Sequence, residues 1–283
     1  MAAPVELIVV PYDSALRETR MGRGPNALLR AGAAERLAGQ RTDVHVTEVE
    51  PESEFQAEIA TSIELQRGVR RGVEAAVAAG RRPITLSGNC NTGVVGSLAA
   101  HGAEPVGLFW LDAHSDAETP ETTTSGFLDG MGLAMAMRCC WAAKLDEVGC
   151  WTLPGQRTAL VGAREISDAA GRLLREHGVA IVSPEEARAG SLDHALDQLG
   201  SAGARRVHLH VDLDVLDSQL VGPANSYALP DGVTQAQLIE LVETILGRFE
   251  LASGSVASYD PDCDRSGKVA AAGLEVISRM ATA

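Results

Sequence analysis

Short apolar runs rich in β-branched residues recur along the chain, and between them lie stretches whose apolar positions fall at three- and four-residue spacing. The runs "VELIVV" (5–10), "PITLS" (83–87), "VGLFWLD" (106–112), "TALVGA" (158–163), "VAIVS" (179–183), "RVHLHVD" (206–212) and "GSVASYD" (254–260) are predicted strands. They are nearly continuous in apolar residues rather than alternating, as strands buried on both faces are. The clearest predicted helices span 62–80, 167–178, 191–203, 234–249 and 267–281, with Ser191 and Thr234 as N-caps and Gly80, Gly178 and Gly203 as C-terminal stops. Strand and helix in alternation predict an α/β fold with a mainly parallel central sheet covered by helices on both faces. The segment 113–151 breaks this rhythm with "TPETTTSG" and a Gly- and Met-rich piece. Long loops of this kind inside a compact domain usually carry function.

Length and composition narrow the setting. The 283 residues show no composition shift that would mark a seam, and one domain is expected. Lys plus Arg number 24 against 38 Asp plus Glu, a net charge of −14, with no basic block to follow a phosphate backbone or an anionic bilayer. Nucleic acid and membrane are therefore not expected partners. The five cysteines are odd in number and two are adjacent, which fits a reduced, cytoplasmic protein better than a disulfide framework. The apolar run at 5–11 lacks a basic leader and ends at a proline, unlike a signal peptide, and no stretch is long enough to span a bilayer.

Acids then change the picture. Asp112 closes one predicted strand and Asp212 another, so both fall at the carboxyl rim where open α/β sheets bind ligands. Period-two spacing places Asp112, His114 and Asp116 on one side, and Asp212 and Asp214 likewise. Carboxylates gathered there repel and lose hydration, at a cost of roughly several kcal/mol without a counter-cation. A divalent metal is the simplest remedy, and a carboxylate-rich set with imidazole suits Mn²⁺, Mg²⁺ or Zn²⁺. Four carboxylates can bridge, so two ions are expected, sharing an activated water. Each motif alone also fits a hydrated turn or an Asx-turn.

These residues resemble the ureohydrolase superfamily of arginase, agmatinase and formimidoylglutamase. "GRGPNALLRAG" (22–32) is similar to that family's early glycine–proline loop, "DAHSD" (112–116) and "VDLDVLD" (211–217) to its two metal motifs, and "TPETTTSG" (119–126) to the arginase substrate loop. The resemblance implies a three-layer αβα sandwich, two Mn²⁺ ions and attack of a bridging hydroxide on a guanidinium or imino carbon of a small-molecule substrate. It implies Asp112, His114, Asp116, Asp212 and Asp214 as metal ligands, with Asp116 also orienting the hydroxide, and a homo-oligomer, trimer or hexamer.

The chain departs from the family pattern at several positions. Cys90 in "SGNCN" (87–91) stands where a histidine ligand is expected. It reads either as a thiolate ligand or as a small buried residue that leaves one metal site weak. A cysteine here, together with the Thr-Pro-Glu-Thr-Thr loop, resembles the branch that hydrolyses N-hydroxyarginine. Asp129 replaces the proton-shuttling histidine, either as a relay or as a solvated loop acid; Ser258 replaces the guanidinium-binding glutamate, with Asp260 and Asp262 close by; and Ser167 replaces the acid facing the substrate amino group. Glu118 and Ser125 match loop positions facing the substrate's polar end.

Other residues carry less. His210 shares the side of Asp212 and reads as a core histidine, a hydrogen-bond partner of a ligand, or an extra imidazole. Trp110 and Met131, Met135 and Met137 read as packing, His45, His101, His177 and His194 as surface, and Cys139, Cys140, Cys150 and Cys263 lack ligand spacing. The expected function is a dinuclear amidinohydrolase acting on a guanidino, N-hydroxyguanidino or formimino compound. The alternatives are a non-catalytic homologue used for binding or assembly, and a metallo-phosphoesterase, for which no phosphate cradle is present.

Overall fold

Among residues 3–40 and 42–283, which the computed structural model describes, ten strands form: β1 (Val5–Val10), β2 (Tyr12–Asp13), β3 (Leu16–Arg17), β4 (Val44–Glu48), β5 (Arg82–Ser87), β6 (Val106–Leu111), β7 (Thr158–Val161), β8 (Ala180–Val182), β9 (Arg206–Asp212) and β10 (Glu250–Ala257). β2 and β3 make a small antiparallel hairpin. The other eight make one sheet in the order β4-β1-β5-β10-β9-β6-β7-β8, and every neighbouring pair in it is parallel.

That order positions the site. The chain lays β1, β4 and β5 on one side and β6, β7 and β8 on the other, then inserts β9 and β10 last, between β5 and β6. The carboxyl ends of β5, β10, β9 and β6 thus meet where the winding reverses, the crevice that such sheets offer to ligands.

Burial explains the apolar runs. β1 and β6 are buried at every residue. One face packs Leu7, Ile84, Phe109, Leu209 and Val256 against the helices Gln235–Arg248 and Lys268–Thr282. The other sets Leu108, Trp110 and Leu160 against the helix Cys90–Ala100 and the short helix Gly132–Ala136.

Several boundaries differ from the predicted ones for physical reasons. The helix expected at 62–80 is Glu58–Ala78. The one expected at 191–203 is Asp193–Ser201, and its N-cap is Leu192 rather than Ser191, whose backbone N–H closes the preceding helix onto Glu186. Thr234 does cap: its Oγ accepts from Gln237 N while the Gln237 side chain accepts from Thr234 N. β10 begins at Glu250, not 254, and stops at Ala257, because Ser258 turns into the left-handed region (φ 61°). Segment 113–151 is not wholly loop; it contains the helices Gly132–Ala136 and Ala142–Val148. The glycines of "GRGPN" serve close approach: a Cβ on Gly24 would lie 2.1 Å from the Tyr259 carbonyl. No helix of the described residues is long and apolar enough to cross a membrane.

Candidate metal centre

Asp212 is the last residue of β9 and Asp112 the first beyond β6, and the two strands are paired through Leu111 and Val211. Each acid organises the turn that follows it. Asp112 Oδ1 accepts from His114 N (2.7 Å), and Asp212 Oδ1 accepts from Asp214 N (2.8 Å). The Asx-turn and the metal motif are therefore one structure, since each turn uses one oxygen and leaves the other for a further partner. Asp112 Oδ2 accepts from Trp110 Nε1 (2.8 Å), and Asp214 accepts from Ala113 N (3.2 Å) and Asn225 Nδ2 (3.2 Å).

The side chains converge. His114 Nδ1 lies 3.4 Å from Asp112 Oδ1 and 3.3 Å from Asp214 Oδ2. Cys90, three residues past β5 at the start of its helix, donates its thiol to Asp212 Oδ2 (3.0 Å) and lies 3.3 Å from Ser258 Oγ. Donor atoms of Asp112, His114 and Asp214 lie within 4.8 Å of one another, as do those of Cys90, Asp116 and Asp129, and those of Cys90, Asp112 and His210. Asp116 and Ser258 are non-glycine residues held at positive φ, 43° and 61°. Backbone strain of this kind costs roughly 1–3 kcal/mol and persists where the surroundings fix it.

The charges are out of balance. Burial and mutual repulsion push Asp112 up to about 6 and raise Asp116 and Asp212 well above the carboxylate range. Burial opposes charge on His114, but its bonds to Asp112 and Asp214 outweigh this and raise it to about 12, while the same imidazolium holds Asp214 at about 2 against burial. Burial, then Asp212 and the neighbouring acids, hold the Cys90 thiol well above its ordinary value. Without a cation, one shared proton on His114 does a cation's work.

Above these groups opens a cavity of about 410 Å³. His114, Asp116, Asp129, Asp212, Asp214 and Ser258 face it, and Glu118, Ser125 and Ser167 line its outer part. Phe127 and Tyr227 stack beside it, with centroids 5.6 Å apart. No Lys or Arg is among the lining residues. Asp112 and Cys90 lie beneath the floor, fully buried.

Two expectations need correction. Asp129 is not a solvated loop acid: it is buried, and it caps the helix Cys90–Ala100, accepting from Cys90 N (3.0 Å), Asn91 N (2.8 Å), Asn89 Nδ2 (2.9 Å) and Asn91 Nδ2 (2.9 Å). Burial raises it to about 7 against the pull of those bonds. Asp260 is turned out of the cavity and paired with Arg23 (3.0 Å), as is Asp262 (2.8 Å), so neither takes the place of a glutamate at Ser258. Ser167 and Glu118 are not independent: Ser167 donates to Glu118 and also caps the helix Asp168–His177, accepting from Ala170 N (3.1 Å).

Sequence reading missed further residues. Arg164 is threaded behind the rim and donates to the carbonyls of Asp214 (2.7 Å), Val215 (3.1 Å) and Gly162 (3.2 Å), fixing the turn after β9. Asn225 ties Asp214 to the Ser258 carbonyl (2.8 Å). His101 is buried, not superficial, with Nε2 2.9 Å from Ser253 Oγ. Only a carboxylate-rich turn that needs a rigid backing hints at Arg164; nothing local signals Asn225 or His101.

The donor set fits a divalent cation. Oxygen and imidazole donors already surround the position His114 neutralises with a proton, and a thiol stands at the opposite end.

Comparison with known proteins agrees. An arginase of Bacillus caldovelox is 26% identical over 296 residues, covering 98% of this chain and 97% of the relative. An N(omega)-hydroxy-L-arginine amidinohydrolase of Streptomyces lavendulae is 34% identical over 144 residues, 49% of this chain and 46% of the relative. The solved native structure of the Bacillus caldovelox arginase superposes with a TM-score of 0.87 at 24% identity, over 99% of this chain and 98% of that one, a likeness of fold. The sequence model of the arginase family matches residues 3–282, and the chain belongs to that family.

Proposed function

We propose that the chain is a dinuclear-metal amidinohydrolase that hydrolyses a C–N bond of a small guanidino, N-hydroxyguanidino or formimino compound. The observation that carries this is the cluster at and beneath the cavity floor, where Asp112, Asp116, Asp212 and Asp214 meet His114 and Cys90 and no Lys or Arg lines the space above. Such a cavity favours a cationic, planar amidine over a phosphate ester. Membership of the arginase family and the similarity to the Streptomyces lavendulae amidinohydrolase support the reaction class.

Asp112, His114, Asp116, Asp212 and Asp214 would hold the ions, with Cys90 at the second position; the resemblance favours Mn²⁺. Bound divalent cations neutralise these acids and bring the pKa of a coordinated water near 7. The chain's own residues do the rest. Asp116, whose carboxylate accepts no hydrogen bond among the described residues, orients the attacking water and holds its proton for the departing amine. Asp129 has both oxygens engaged with the helix at Cys90 and is better placed to position that helix than to relay protons. The stacked Phe127 and Tyr227 shield one wall from water, and Glu118, Ser125, Ser167 and Ser258 offer acceptors and hydroxyls to the substrate's polar groups. A homo-oligomer, trimer or hexamer, belongs to the same proposal on the strength of the resemblance. A reducing, cytoplasmic setting is supported by five free cysteines.

A panel of guanidino, N-hydroxyguanidino and formimino compounds, assayed with Mn²⁺ for urea, hydroxyurea, ammonia and formamide, tests this. Turnover of at least one class is expected. The second reading, a non-catalytic homologue, draws on three features: the Cys90 thiol bonded to Asp212, Asp129 spent on capping, and Asp260 held by Arg23. It gains if every compound is inert.

A further inference from the structure

The strongest unexplained feature lies just under the site. His210 is fully buried on β9, and its Nε2 has no hydrogen-bond partner among the described residues. Its ring is fixed: Nδ1 lies 2.8 Å from Ser255 Oγ, and the Trp110 ring packs against it at a centroid distance of 4.4 Å, tilted 54°. Its imidazole belongs to a set with Cys90 and Asp112, one donor atom of each lying within 4.8 Å of the others, and Asp212 Oδ2 sits 3.0 Å from the same thiol.

A row of buried groups sets which form His210 Nε2 takes. A register shift between Leu251 and Ser253 brings Ser253 opposite His208 and Ser255 opposite His210, across β10 and β9. His101 Nε2, Ser253 Oγ, His208 Nδ1 and Nε2, Ser255 Oγ and His210 Nδ1 follow one another at 2.8 to 2.9 Å. Each hydroxyl has one proton to give, so the row runs in one of two senses. With Nδ1–H of His210 donating to Ser255, each hydroxyl donates to the next imidazole along the row and Nε2 of His210 carries a lone pair. In the opposite sense Nε2 carries a hydrogen that meets no acceptor, an orphan donor that costs roughly 1–3 kcal/mol.

We propose that His210 is a metal ligand, forming with Cys90, Asp112 and Asp212 a thiolate–imidazole–carboxylate pocket that takes Zn²⁺ in preference to Mn²⁺, beside the oxygen-rich position around His114. The assignment rests on the reading that this rim binds cations. Where the family pattern has a histidine at position 90, this chain has the shorter thiol, and the imidazole comes instead from beneath, off β9. Sulfur and nitrogen beside two carboxylates make a borderline-soft set that suits tetrahedral zinc, whereas Asp112, His114 and Asp214 offer only oxygen and nitrogen. Ser255 orients the ligand from behind, as partners of metal-bound histidines do.

Co²⁺ titration of the purified chain reads both donors. Expected in the wild type are a near-ultraviolet thiolate-to-cobalt band and the intense visible bands of four-coordination. Cys90→Ser should remove the first. His210→Ala should weaken the visible bands and raise the zinc Kd about 100-fold or more, Ser255→Ala about 10-fold, with manganese binding changed much less. An unchanged cobalt spectrum and zinc Kd in a folded His210→Ala overturn the assignment and leave the His114 position standing; failure of the wild type to bind any cation removes both readings. Should His210→Ala not fold, zinc-loaded crystals of the wild type decide. An anomalous peak about 2.0–2.1 Å from Nε2 supports the assignment, and a peak out of bonding reach of Nε2, or none, overturns it.

Discussion

Two buried polar regions lie within one strand's length of each other, and they are balanced in opposite ways. In the row His101–Ser253–His208–Ser255–His210, every junction is a hydrogen bond between neutral groups, and the last nitrogen, His210 Nε2 at the site end, is buried and left over. At the rim, burial and mutual repulsion oppose the ionisation of Asp112, Asp116 and Asp212, and the one counter-charge among them, the His114 imidazolium, is bonded to Asp112 and Asp214. Polar burial alone therefore marks nothing. What marks a ligand site is polar burial that the chain's own groups do not balance.

The sharpest way to break this contrast is a substitution that neutralises a rim acid while keeping its shape. Asp212→Asn retains an oxygen for Asp214 N. It should lower kcat/KM by about a thousandfold or more, roughly 4 kcal/mol, yet leave the cation-free protein as stable as the wild type or more so, because an acid whose ionisation burial opposes is gone. Cations should also cease to raise Tm. In the wild type, cation at 100 times its Kd should add about 2.7 kcal/mol. Differential scanning with and without Mn²⁺ and Zn²⁺ checks both halves.

The row should answer in reverse. His208→Leu leaves the hydroxyls of Ser253 and Ser255 without their shared partner in a fully buried place. A loss of about 3 kcal/mol in denaturant unfolding is expected, with Mn²⁺ equivalents unchanged.

The rim was legible in sequence because its signal is local: acids at every second position, each closing an apolar run. The row was not. His208 and His210 are visible, but their serines lie 45 residues away, and the pairing depends on an irregularity in β10 that no local pattern reveals. The helix Cys90–Ala100 was missed for a related reason: nearly all its residues are buried, so it has no polar face to set against an apolar one. Edge strand β4 has the opposite defect, being half exposed in "VHVTE". Asp129 lies 38 or more residues from the helix start it caps, so its role could not be read from its own loop.

Acidity gives a third probe. Burial and then the Arg206 charge lower His101 to about 4. The folded state resists a proton that the unfolded chain takes up near 6.5. The associated stability is therefore complete above pH 6.5 and lost as pH falls toward 4, about 3 kcal/mol in all. His208, lowered well below its ordinary value by burial, acts in the same direction. His101→Gln, which keeps a partner for Ser253, should flatten the pH dependence of urea midpoints across this window. The smallest effect belongs outside both regions: Thr234→Ala removes one half of a capping box and should cost about 1 kcal/mol without changing cation content or turnover.

Cation content decides most directly whether the rim is what it is taken to be. After equilibrium dialysis against Mn²⁺ and Zn²⁺ together, elemental analysis of the wild-type chain should give about two equivalents of divalent cation, and Asp212→Asn clearly fewer. Near zero in the wild type, or the same content in Asp212→Asn, would contradict the assignment of these buried acids to a metal centre.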